Sequence, residues 1–364
     1  SACLVGSEMC IRDRYWTKRF WWDFSAPAAA SVQFLASISR EFAVRPILLT
    51  LADWAAIFIE DNADALEQHF VFPRASAPIV RRLANKWQMF LLAKEHGIPT
   101  PETAYPLSRD DVVRFAEATG YPIVVKPADL FLPGTSKEIV DNFRDLLNKY
   151  DRAAACGPPN LILQQYIPGN AESVWMCNAY FGAGSHCHAI FTGQKLRQVS
   201  VTGIASLAIC LPNETVMNTT RQFMQALGYQ GAVGIGYRYD QRDGSYRVLD
   251  VNPRISGVFR LFRATNALDI VRICYLDLTG QSIPESTASI GRKWMLEDDV
   301  FSALSSAREG KLTFREWLKS LRGIRETHWF AADDPAPGFV WLWRTVWPRV
   351  ASIMRRTVFA KSTP

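Results

Sequence analysis

The stretch from Gly234 to Gly257, GIGYRYDQRDGSYRVLDVNPRISG, constrains this chain more than any other. It reads as two short strands, Ile235–Tyr239 and Tyr246–Val251, joined by a polar turn whose Asp243-Gly244 pair suits a hairpin. Side chains alternate along a strand, so Asp250 and Asn252 share a face while Val251 turns to a core. A carboxylate beside a carboxamide offers hard oxygen donors of the kind magnesium takes when it also keeps phosphate oxygens. Arg254 continues the spacing and suits a phosphate or acyl phosphate through two parallel hydrogen bonds. Taken alone, the stretch is equally well an ordinary hairpin with a polar end and a solvated arginine.

Length and charge narrow the setting. The 364 residues suffice for two or three packed units. An apolar content of 48% with 21% charged residues describes a globular protein. A net charge of +6, scattered until the C-terminus, argues against a dedicated nucleic-acid binder and leaves a nucleotide or acidic substrate compatible. The cysteines Cys3, Cys10, Cys156, Cys177, Cys187, Cys210 and Cys274 form no CxxC pair, the pattern of reduced thiols expected in a cytoplasmic protein. No apolar run is long enough to span a bilayer. Residues Leu4–Asp13 resemble one reading frame of a common transposon-derived sequencing adaptor, so 1–14 are expected to be non-native, with part of a first βα unit missing upstream.

Residues 15–78 hold an aromatic cluster, YWTKRFWWDF, expected to be exposed if its partners are lost. They then give a helix at Ser31–Phe42, a buried strand at Pro46–Leu51 and a helix from Asp53, the rhythm of a truncated Rossmann-like α/β domain. Residues 79–165 read as one helix, Pro78–His96, carrying Lys86, then a β-α-β-β-α-β lid in which Lys126 ends an apolar strand. Residues 166–283 form a larger strand-rich unit. The segment LILQQYIPG can meet an adenine edge with main-chain groups near Gln165, Tyr166 and Ile167, and Glu172 can reach a ribose. Lys195 and Arg197 share a face, as a phosphate-binding pair would, with a solvated basic edge as the plain alternative. Residues 284–364 read as a helical C-terminal region. Its last helix, Phe339–Met354, is expected to pack on its own domain, with an anionic membrane surface as the alternative.

With Lys86, Lys126, LILQQYIPG, Lys195 and Asp250-x-Asn252-x-Arg254 in that order, the chain resembles the ATP-grasp superfamily, and within it the predicted carboxylate–amine ligases that include D-aspartate ligase-like proteins. The resemblance covers about 80–280. It implies an α+β fold in which a lid and an antiparallel-sheet domain hold ATP behind a Rossmann-like domain. It implies that Lys86 and Lys126 contact the phosphates, Gln165–Ile167 the adenine and Glu172 the ribose, while Asp250 and Asn252 hold Mg2+ and Arg254 steadies the transferred phosphoryl group. Two departures stand out. The acidic ligand usual on the first hairpin strand falls near Gly236 or Tyr237, which leaves Asp240 as replacement, and Gln165 stands where a glutamate is common. The implied activity is ligation of a small-molecule carboxylate and amine through an acyl phosphate. The other readings are an inactive nucleotide-binding module at a membrane surface and a degraded fragment that cannot fold. Homodimerisation stays open, since many relatives pair.

Overall fold

The computed structural model describes residues 2–5, 16–129, 132, 136–155, 157–199 and 203–348. Most of the adaptor-like segment lies outside them. Its first residues fall in β1 (Ala2–Val5), which pairs in parallel with β2 (Lys18–Trp21).

Aromatic side chains build the N-terminal unit. Trp22 is buried, edge-on to Trp54 and Phe58, and its indole N–H donates to Ser31 Oγ at 3.1 Å. It packs with Leu35 and Ile38 from α1 (Ala28–Ser39), Trp54 and Phe58 from α2 (Asp53–Asp61), Leu66 from α3 (Ala63–Leu66) and Phe70 just after it. The cluster is therefore split: Trp22 finds partners, while Trp21 remains 70% exposed. The strand expected at Pro46–Leu51 is reduced to a single parallel bridge between Ile47 and Val71. With one neighbour on one side, the apolar run cannot become a sheet interior.

The expected helix Pro78–His96 is two helices, α4 (Val80–Ala84) and α5 (Lys86–Glu95). Asn85 adopts an extended conformation between them and caps α5, its side chain accepting from the Trp87 and Gln88 amides. Lys86 thus starts a helix rather than sitting inside one, and its amide donates to Ala128 O at 2.8 Å.

The lid follows the expected order: β3 (Thr103–Ala104), α6 (Arg109–Thr119), β4 (Ile123–Lys126), β5 (Glu138–Val140), α7 (Phe143–Ala154) and β6 (Ile162–Gln165). Its sheet runs β3-β6-β4-β5, antiparallel throughout. Val112, Phe115, Ile123, Val125, Leu146 and Leu163 form its own core. Ser108 and Asp111 close a capping box at the start of α6.

The larger unit contains β7 (Val174–Phe181), β8 (Cys187–Gln198), β9 (Ala205–Cys210), α8 (Glu214–Ala226), β10 (Gly231–Asp240), β11 (Ser245–Asn252) and α9 (Ile270–Leu278). The region after 283 is not purely helical. It adds β12 (Lys293–Met295) and β13 (Ile324–Thr327) around α10 (Asp299–Arg308) and α11 (Phe314–Ser320), giving the sheet order β11-β10-β7-β8-β9-β12-β13. Alternation assigns the two faces. Cys177, Ala179, Val233, Ile235 and Tyr237 pack under α4, α5 and α8, whereas Met176, Asn178, Gly234 and Gly236 face the cleft below the lid. Last comes α12 (Ala336–Trp341), continued by a wider turn through Leu342–Val346. Trp341 Nε1 ties it to Asp298, but Phe339, Trp343 and Trp347 stay exposed rather than packed. The remainder of the expected last helix, with Arg349, Arg355 and Arg356, lies outside the described residues. No described helix is long and apolar enough to cross a membrane.

Candidate functional site

A cleft of about 670 Å3, within the usual range for small-molecule sites, opens between the lid and the large sheet. The hairpin supplies its floor through an irregularity. Gly236 pairs with Asp250 but Tyr237 pairs with Val248, so Leu249 is an extra residue on β11. Such a bulge interrupts the ladder and re-aims its neighbours. Val248 and Val251 both enter the core, Asp250 and Asn252 both line the cleft, and the Leu249 carbonyl accepts from Lys126 Nζ at 3.3 Å.

Asp250 and Asn252 are together: Asn252 Nδ2 donates to Asp250 Oδ2 at 3.3 Å. Lys86, Lys126, Lys137, Lys195 and Arg238 line the same cleft, so five cationic side chains surround one carboxylate. Burial pushes the Asp250 carboxyl up, yet Lys86, Lys126 and Lys137 outweigh it and hold the group below the ordinary aspartate value. Lys126, donating also to Gln164 Oε1 at 3.0 Å, is lowered to about 7 by burial and by Lys86 and Lys137. Lys195 is lowered to about 8, mainly by burial, and donates to Gly203 O at 2.9 Å. Arg238 donates to Gly169 O at 2.5 Å, lies over the Tyr166 ring at 5.5 Å, and leaves its buried Nε without a partner among the described residues. The surplus of cations over anions is chemistry for a polyanion. The paired hard oxygen donors at its centre fit a magnesium ion that takes its other ligands from phosphate and water. Among the described residues no group of three His, Cys, Asp or Glu forms a self-sufficient metal site.

Of the residues expected from sequence, Lys86, Lys126, Gln165, Tyr166, Ile167, Lys195, Asp250 and Asn252 line the cleft. Four others do not. Asp240, at the far end of β10, is engaged by Arg242 at 2.7 Å and Arg247 at 3.0 Å. Its face is right, but four residues from Gly236 is roughly 13 Å along a strand. Glu172 is exposed, and its main-chain carbonyl accepts from Gln194 Nε2 at 2.6 Å. Arg254 makes a two-point ion pair with Asp53 of the N-terminal unit, at 2.8 and 3.0 Å. Arg197 grips the fully buried Asp299 at 2.6 Å, and Ser206 Oγ donates to the same carboxylate. That cluster anchors α10 to the sheet. Asp299→Ala leaves Arg197 buried without its counter-ion, and we expect a loss of about 3–5 kcal/mol in denaturant unfolding.

The vacant first-strand position has a steric cause. A Cβ on Gly236 would fall 2.3 Å from Asp250 Oδ1, so no side chain can stand there while Asp250 keeps its place. The neighbouring Tyr237 is committed to the core, its hydroxyl 2.7 Å from Thr220 Oγ1. Gly236→Ala is therefore expected to displace the carboxylate and reduce nucleotide turnover at least about tenfold with little change in folding, a rate-loss scale common for groups at reacting phosphates.

Sequence reasoning missed Lys137, Arg238, Asn178, Trp294 and His328 as cleft residues. Arg238 was legible, two positions from Gly236 on the same face. Asn178 lies on a strand that the sequence shows at Ser173–Tyr180, but its face is settled only by the neighbouring strands, while Lys137, Trp294 and His328 depend on the lid and on chain segments with no local strand pattern.

Residues 83–258 match the model of the ATP-grasp domain family. The chain is 22% identical over 301 residues to a D-aspartate ligase of Enterococcus faecium, covering 76% of this chain and 70% of that protein. Its fold resembles the L-amino acid ligase from Bacillus licheniformis, with TM-score 0.55 and 20% identity over 72% of this chain and 63% of the other. It also resembles the biotin carboxylase domain of 2-oxoglutarate carboxylase from Hydrogenobacter thermophilus, a structure in complex with MgADP, with TM-score 0.54 and 17% identity. That match covers 75% of this chain and 62% of the other, so the chain spans under two thirds of both solved structures. At these identities the structures establish the α+β fold.

Proposed function

This chain carries an ATP-grasp domain over residues 83–258, and on that premise we propose that it is an ATP- and Mg2+-dependent carboxylate–amine ligase working through an acyl phosphate. The observation that carries the reading is the Asp250–Asn252 pair enclosed by Lys86, Lys126, Lys137, Lys195 and Arg238 in one cleft. Asp250 and Asn252 would hold magnesium, which would supply a hard Lewis acid for phosphate oxygens. The lysines and Arg238 neutralise the triphosphate and lower the cost of bringing an anionic carboxylate to it. Tyr166, under Arg238, and the main chain at Gln165–Ile167 form the wall for the base.

The chemistry balances without a covalent enzyme intermediate. A carboxylate oxygen bonds to the terminal phosphorus as the bridging P–O bond breaks, and ADP leaves with that electron pair. The amine then bonds to the acyl carbon, phosphate departs, and the amine's proton passes to solvent. Arg254, held by Asp53, supports this only from the side, as the residue that fixes the exit of β11 against the N-terminal unit.

The test is incubation of the full chain with ATP, magnesium, mixed amino acids and peptides, and hydroxylamine. Hydroxamate formed together with ADP supports the reading. ADP no greater than in the substrate-free control, with no hydroxamate, overturns it. Gly236 favours a second reading, an inactive nucleotide-binding module, because it leaves one carboxylate in the cleft. Saturable binding of an ATP analogue without turnover would support that reading.

A further inference from the structure

The cleft does not end at the cations. On the β9-β12-β13 side of the sheet its wall is made by Ile204, Ala205, Val258, Trp294, Leu296 and His328. Leu296 N donates to Ser206 O at 2.8 Å, which fixes β12 beside β9. The chain leaving Asn252 reaches this wall at Ser256–Val258. A Cβ on Gly257 would fall 2.2 Å from His328 Cε1, so the glycine lets the imidazole press against that backbone. The ring is held edge-on to Trp294 at 5.7 Å and to Trp329 at 4.2 Å. Glu297 accepts from the Trp329 and Phe330 amides at 2.8 and 2.7 Å, and Arg260 donates to His328 O at 2.8 Å, so the segment is clamped from both sides.

Three features of this wall bear on what it can take. Ile204, 67% exposed, extends the apolar surface formed by Ala205, Val258 and Leu296. Trp294 Nε1 and His328 Nδ1 are buried with no hydrogen-bond partner among the described residues, where buried polar atoms are ordinarily paired. Burial, with Arg260 close by, lowers His328 to about 4, so its imidazole adds no charge to the wall at neutral pH. The other side chains of this wall are apolar, and an anionic group lodged among them would lose its hydration.

We propose that this end of the cleft is the substrate subsite, and that it takes an amino acid with an uncharged apolar side chain, aliphatic or aromatic, lodged against Ile204, Val258 and Leu296. The proposal rests on the ligase reading for its consequence but is read separately from it. The experiment has two arms on the full chain. In the first, melting is followed with magnesium, a non-hydrolysable ATP analogue and single amino acids. Leucine and phenylalanine are expected to raise the midpoint, and aspartate and glutamate are not. In the second, ADP release is measured with the same amino acids, ATP, magnesium and hydroxylamine as the amine, and leucine or phenylalanine is expected to exceed aspartate at least about tenfold, the discrimination typical of a few methylenes in an apolar pocket.

Ile204→Lys, at an exposed position, should abolish the preference for leucine over aspartate, and Ile204→Ala should weaken it. Stabilisation by leucine without ADP release supports the subsite and defeats the ligase reading. Turnover best with aspartate, or a preference unmoved by Ile204→Lys, overturns the subsite and leaves the ligase reading standing.

Discussion

Asp250→Ala is expected to cut ADP release by about 10²–10³-fold, the scale seen when one charge-stabilising group is removed from a reacting centre. Among the described residues its carboxylate is the only one lining a cleft that also holds five cations, and on the proposed reading it is the stronger of magnesium's two side-chain ligands. Asn252→Ala should cost less, because a neutral carbonyl oxygen contributes less to a divalent ion than a carboxylate does. The informative control is Asp240→Asn. That aspartate is bound by Arg242 and Arg247 at the far end of the hairpin, and burial of the charged cluster makes it a stability site. The substitution should lower the unfolding midpoint and leave turnover within about twofold below that midpoint. Equal losses in the Asp240 and Asp250 variants would restore Asp240 as a metal ligand.

The second large effect is with pH. Lys126 is lowered to about 7 by burial and by its neighbours Lys86 and Lys137, and Lys195 to about 8 by burial. In the unfolded chain both return to the ordinary lysine value near 10.5. Between about 7 and that value the unfolded state binds more protons, so the ligand-free protein gains stability as pH rises across that window. Below 7 both states hold the proton on Lys126 and the cost of its buried ammonium is fully present. Nucleotide binding runs the other way. A triphosphate favours the charged lysines, so at pH 8 binding should take up close to one proton for Lys126 and about half of one for Lys195. Apparent affinity should fall by up to about tenfold per pH unit for each lysine that must be recharged. Calorimetry in buffers of different ionisation enthalpy reads the proton count directly. Lys126→Met should remove most of the uptake and flatten the pH dependence of binding.

What the sequence revealed of the site follows from how local each signal is. Asp250 and Asn252 were legible because a two-residue period needs only the strand itself, and Lys126 because an apolar strand ends on it before a proline. Lys86 was legible as a residue but not as a helix start, since Asn85 reads as a helix interior until its cap is seen. Arg254 and Arg197 misled for one reason. Their partners Asp53 and Asp299 lie 201 and 102 residues away in sequence, and a charged side chain shows no sign of which distant carboxylate will claim it. The bulge at Leu249 was equally hidden, since two-residue alternation carries no mark of an extra residue. The C-terminal wall was the least visible part. Its strands, β12 and β13, are three and four residues long and become strands only by joining a sheet already built.

The central claim is that the cleft between lid and sheet holds a magnesium nucleotide through Asp250, Asn252 and the surrounding cations. Titration of the full chain with a non-hydrolysable ATP analogue, with and without magnesium, tests it most directly. The account predicts saturable one-to-one binding that strengthens at least about tenfold with magnesium and loses that gain in Asp250→Ala. Binding indifferent to magnesium, or unchanged by that substitution, would contradict it.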